Sequence, residues 1–129
     1  MNPLELLLVA VGGGIGAALR FLLDGVVKAR VEGSRLGAFP VGTLVINVTG
    51  SLVLGFLTGL AQAGTIPLSA VAVLGTGMMG GYTTFSTASV ETVQLLRTGR
   101  PRLAVLNGLG MLVVSVGAAA LGLWLGRNS

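Results

Sequence analysis

Gly75-Thr-Gly-Met-Met-Gly-Gly-Tyr-Thr-Thr-Phe-Ser-Thr-Ala-Ser-Val-Glu91 is the stretch on which the fold turns. It closes a run from Leu36 to Val90 without one charged residue, long enough at about 20 residues per span for two membrane crossings. A lipid-facing helix would not carry Thr83, Thr84, Ser86, Thr87 and Ser89 at mid-span. Gly80-Gly81 followed by β-branched residues disfavours continuous helix, and a break at membrane depth is tolerated only where protein or water covers it. Such a break frees backbone carbonyls that can coordinate a hard cation. Glu91 is either a functional intramembrane acid or an interfacial residue near the end of its span.

Around this segment the composition is that of a membrane protein. The 129 residues are 53% hydrophobic and only 9% charged, with 8 Lys and Arg against 4 Asp and Glu, and the mean hydropathy is +0.93. A soluble domain carries about 25% charged residues, so this chain has no polar exterior to offer water. The turn Gln62-Ala-Gly-Thr-Ile-Pro67 divides the long uncharged run, and Leu103 to Gly126 supplies another crossing that ends at Trp124 and Arg127. Leu6 to Val27 is apolar apart from Arg20 and Asp24, four residues apart on one helix face, where they are expected to pair. The reading is therefore an all-α integral membrane protein, one domain over 1–129, with four helices at about 4–28, 40–62, 67–96 and 102–126, the third broken. No basic residue precedes the first apolar run, so a cleaved signal peptide is not expected.

The chain contains no Cys and no His, which removes thiolate and imidazole chemistry, the usual zinc ligands and histidine proton relays. No enzymatic activity is expected. The basic residues sit in short loops, so they indicate topology and not nucleic-acid binding. Lys28, Arg30 and Arg35 follow the first helix and Arg97, Arg100 and Arg102 follow the third, against Arg127 alone at the opposite side. The positive-inside rule makes loops 28–35 and 97–102 cytoplasmic.

Glycines are 22 in number, and pairs such as Gly12/Gly16 and Gly55/Gly59 permit close helix approach. Gly12-Gly-Gly-Ile-Gly-Ala17 also fits a loose dinucleotide pattern, but nothing after Leu36 supplies the further strands that fold needs. Thr43, Asn47 and Ser51 recur at i, i+4 and i+8 as one polar stripe on the second helix, as interhelical glue or as ligands.

Three blocks resemble the Fluc/CrcB fluoride channel family over nearly the whole chain: Gly13-Gly-Ile-Gly-Ala-Ala-Leu-Arg20, Pro40-Val-Gly-Thr-Leu-Val-Ile-Asn-Val-Thr-Gly50, and Gly80-Gly-Tyr-Thr-Thr-Phe-Ser-Thr87. The resemblance implies an antiparallel, dual-topology dimer in the cell membrane, with fluoride exported passively along the subunit interface. It further implies a structural sodium ion at the dimer centre, held by the backbone carbonyls of Gly80 and Thr83. Asn47 would be the pore amide, Phe85 a lining aromatic, Arg20 a vestibule residue and Glu91 the family's third-helix acid. The chemistry is consistent, since fluoride is strongly hydrated and a pore must replace its water with donors. The Asn47 amide and the hydroxyls of Thr43, Ser86 and Thr87 are donors, and aromatic edges are electropositive.

Two departures stand out. The family continues FSTF where this chain has Phe85-Ser-Thr-Ala88, and its Tyr and Ser of the fourth helix align with Asn107 and Met111. Asn107 is thus the one polar group left there for the fluoride path. A subunit that pairs with its own inverted copy needs little Lys/Arg bias, so the bias here points to a heterodimer with an oppositely oriented homologue, one pathway being degraded. A homodimer tolerating Ala88 is the other possibility, and a non-conducting half of a channel a further one. A small multidrug-type antiporter of similar length requires a carboxylate at the middle of its first helix, whereas Glu5 and Asp24 lie at the two ends.

Overall fold

The computed structural model describes residues 2–33 and 39–129; Arg35, in the first basic loop, lies outside the described residues. Helix α1 is Pro3–Val31 and α2 is Val41–Gln62. The third crossing has two pieces, α3 over residues 68–82 and α4 over Ser86–Arg97, and α5 is Pro101–Arg127. Three helices, α1, α2 and α5, are each long and apolar enough to cross a membrane, and α3 with α4 forms the interrupted crossing. Among the described residues there is no strand.

Helix ends follow from local chemistry. Pro3 and Pro101 occupy first-turn positions where a missing N–H costs nothing. Asn2 caps α1 by accepting from the Glu5 N–H at 2.8 Å. Gly33, Gly64 and Gly99 take φ of 78°, 79° and 76° just beyond α1, α2 and α4, the left-handed termination that glycine adopts without strain. After α4 the Arg100 N–H returns to the Leu95 carbonyl at 2.8 Å, and after α2 the Thr65 N–H returns to that of Leu60 at 2.9 Å.

The expected pairing of Arg20 with Asp24 is not formed. Asp24 instead binds Lys28, one turn on, at 2.9 Å, the one ion pair among the described residues. That bond spans the last turns of α1, which runs to Val31 and not to residue 28 as the sequence suggests.

Backbone contact between glycines sets the helix crossings. On α2 and α5, Gly55 and Gly59 face the backbone at Ala119 and Leu123, while Gly122 and Gly126 face that at Leu52 and Phe56, so a Cβ at any of the four would overlap main-chain atoms. The crossing of α1 with α3 repeats this with Gly16 against Met78 and Gly81 against Gly13. Both expected pairs thus serve small-xxx-small packing. The apolar core is correspondingly thin, its buried members being Ile46, Leu95, Ala104 and Met111. Most Leu, Val and Phe side chains of α1 and α5 point outward, as suits a lipid solvent.

Candidate functional site

The break in the third crossing falls at Thr83 to Phe85. Thr83 is extended at φ −79°, ψ 157° and ends the α3 helix. Gly80 and Gly81 remain helical, so they do not make the break themselves. Gly81 instead lets α3 touch α1. No helical partner remains for the Thr84 peptide, and Asn47 on α2 replaces it. The Thr84 N–H donates to Asn47 Oδ1 at 2.8 Å, and Asn47 Nδ2 donates to the Thr84 carbonyl at 2.8 Å. One side chain therefore satisfies both polar groups of a buried residue. The Thr84 hydroxyl accepts from the Thr87 N–H at 3.1 Å and so caps the first turn of α4. Thr49 and Tyr82 hydroxyls join α2 to the end of α3 at 2.9 Å.

Further up the break, among the described residues, no backbone N–H reaches the carbonyls of residues 80–83; the Thr83 N–H bonds to Met79 and the Thr84 N–H to Asn47. Gly80 is exposed, with open space where a side chain would project.

Two cavities meet at Thr84. On one side, a groove of about 260 Å³ is walled by Asn47, Ser51, Phe85, Ala88, Asn107 and Met111, with Ser115 further along. The second N–H contact of Asn47 is to the Met111 sulfur at 3.2 Å, a weak acceptor. On the other side, a cavity of about 210 Å³ is walled by Arg20, Asp24, Thr43, Ile46 and Thr87. The Thr43 hydroxyl, fully buried, donates to Glu91 Oε1 at 2.6 Å. Glu91 also faces a larger basin of about 770 Å³ at the end of the bundle, together with Lys28, Glu32, Gln94 and Arg100. That basin draws the end of α1, the start of α2 and the end of α4 to one end of the molecule, so Lys28 and Arg100, from the two basic loops, share it.

The expected site residues are thus brought around one break but divided between its faces. Asn47, Phe85 and Asn107 lie on the groove. Arg20, Thr43 and Thr87 lie on the second cavity, and Glu91 is reached through Thr43. Ser86 is exposed, its hydroxyl 3.3 Å from that of Thr84. Phe85 is 86% exposed, an aromatic ring projecting from a polar segment. Sequence reasoning missed the pair of hydrogen bonds between Asn47 and Thr84, the grip of Thr43 on Glu91, and the role of Thr92, whose hydroxyl accepts from Asn107 Nδ2 at 2.7 Å. The i+4 spacing of Thr43 and Asn47 carried a signal for the first two; nothing in the sequence marked Thr92.

Residues 7–123 match the family described as CrcB-like protein, Camphor Resistance (CrcB). The chain is 53% identical over 126 residues to the fluoride-specific ion channel FluC 1 of Leifsonia xyli subsp. xyli, covering 98% of this chain and 89% of the relative. It is 43% identical over 118 residues to FluC 1 of Streptomyces avermitilis, covering 92% of each chain. It is also 39% identical over 125 residues to the fluoride-specific ion channel FluC of Parabacteroides distasonis, covering 97% and 94%. Matching that family over almost its whole length, with a broken third crossing clamped by an asparagine from the second, this chain belongs to the CrcB-like family.

Proposed function

We propose that this protein is a subunit of a fluoride-specific channel that lets fluoride leave the cell passively. The observation that carries this reading is the second N–H of Asn47, held only by the Met111 sulfur in the wall of a groove. A strong acceptor entering the groove would displace the thioether and gain a real donor. The Phe85 ring, unburied in one subunit, is available to present its electropositive edge to the same anion. Its exposure favours an antiparallel dimer in which a second subunit covers the break. The concentration of Lys and Arg at one end favours a heterodimer with an oppositely oriented homologue, basic loops in the cytoplasm.

The carbonyls of residues 80–83 suit a sodium ion. Among the described residues they are oxygen ligands without a backbone partner, beside the open space at Gly80, and hard cations prefer such oxygens. Gly80 and Thr83 would hold it, together with the same residues of a second subunit. When bound, the ion supplies positive charge that offsets the repulsion between an anion and these dipoles. Arg20 draws anions toward the second cavity, while Thr43 and Thr84 hold Glu91 and the break in place.

The test is efflux from liposomes loaded with fluoride or chloride in sodium buffer, with the chain alone and then with an oppositely biased homologue. Flux selective for fluoride in either preparation is the expected result. Equal passage of both anions, or none in either, overturns the reading.

A further inference from the structure

Asn107 is fully buried, at 0% exposure, in the wall of the groove that holds Asn47. Which of its two amide atoms faces the groove can be read from its neighbours. The Thr92 hydroxyl donates its only proton to the Ala88 carbonyl at 2.8 Å. The Thr92 oxygen can then only accept, and the group 2.7 Å from it must be Asn107 Nδ2, with the Ala88 carbonyl a longer contact of the same nitrogen at 3.4 Å. The Nδ2 side of the amide is therefore turned toward α4. Among the described residues its Oδ1 is buried with no partner, and so, two turns along the same groove, is Ser115 Oγ. Buried polar atoms of native proteins are rarely orphaned, and the usual explanation beside a cavity is bound water.

We propose that Thr92 and Asn107 form a latch that presents an acceptor to the groove, so that this stretch of wall binds water and excludes anions. The inference rests on the channel reading and sharpens it: Asn107 is a water-holding residue of the wall and not a fluoride ligand, and along this groove the anion is served by the Asn47 side alone. A fluoride ion beside Asn107 would set one acceptor against another, whereas a water molecule donates to Oδ1.

The chain has four asparagines, at 2, 47, 107 and 128, so side-chain amide signals of asparagine-labelled protein in lipid are assignable by single substitutions. In solid-state NMR, magnetisation transferred from water is expected to reach the Asn107 side chain. Exchanging sodium chloride for sodium fluoride is expected to move the Asn47 amide signal and leave that of Asn107 in place. In efflux, Asn107→Leu is expected to keep fluoride flux within about twofold, and Thr92→Val, which frees the amide to turn its N–H outward, to raise it. Absence of water transfer to Asn107, a fluoride-dependent shift of its signal, or a tenfold or greater loss of flux in Asn107→Leu with normal assembly each overturns the latch. If Asn107→Leu fails to assemble, the wild-type spectra decide. If fluoride moves neither signal and wild type passes none, the channel reading falls while water transfer at Asn107 still upholds the water site.

Discussion

Asn47 illustrates how a single side chain in a membrane acquires two duties. Its oxygen and one N–H replace the helical bonds that Thr84 has lost, and the other N–H has only sulfur for company. Thr43, one turn earlier, spends its hydroxyl on Glu91. The bond is part-buried, its carboxylate half-exposed to the basin, and a hydrogen bond of this kind contributes about 1 kcal/mol. Thr43→Val should therefore lower the thermal midpoint of the detergent-solubilised protein by several degrees, while Thr43→Ser, which retains the donor, stays within a degree or two; equal losses would show that shape and not the bond matters. For Ser86, exposed and weakly bonded to Thr84, no comparable structural cost is expected.

Among the helices, packing rests on missing side chains. Gly16 meets the Met78 backbone and Gly122 the Leu52 backbone so closely that neither can accept a methyl group without moving a helix, and overpacking of this sort costs about 1–3 kcal/mol. Gly14, on the same helix as Gly16, has open space around it. Gly14→Ala should stabilise by up to about 1 kcal/mol through helix propensity alone, and Gly16→Ala should destabilise and reduce the folded fraction recovered on size exclusion. Equal behaviour of the two variants would remove the close-contact account of the α1 and α3 crossing. The break itself obeys the same logic. Thr83 to Phe85 leave the helix at the point where Asn47 offers replacement bonds, and Gly80 and Gly81, the residues of lowest propensity, stay wound because Gly81 lies on Gly13.

For the molecule as a whole, Lys28 and Arg100, from the basic loops 28–35 and 97–102, share a basin with Glu91 and Glu32 at one end. With six Lys and Arg in those loops, the bundle should insert in one orientation. A periplasmic reporter fused after Ser129 should be active and a cytoplasmic one silent; comparable activity of both would mean dual insertion and favour a homodimer. Replacing Arg97, Arg100 and Arg102 together with neutral residues should produce mixed orientation, read from the same pair of reporters.

Much of this was already written in one dimension. Lack of charge over long runs, Lys and Arg confined to two loops, and a cluster of hydroxyls at mid-span require a bilayer, four crossings and an interruption of the third, because solvent and backbone satisfaction leave no other arrangement. The residues of the candidate site were legible as polar groups in the wrong solvent. Their partners were not, because hydrogen bonds between helices depend on rotation and register that no local spacing specifies. Asp24 had Arg20 and Lys28 equally near along α1, and the structure pairs it with Lys28. Asn107 read as a polar group on the fluoride path, and packing brings the Thr92 hydroxyl to accept from its Nδ2. Composition determines the solvent a chain must live in, while the direction each buried amide faces is fixed by neighbours that meet only when the helices pack.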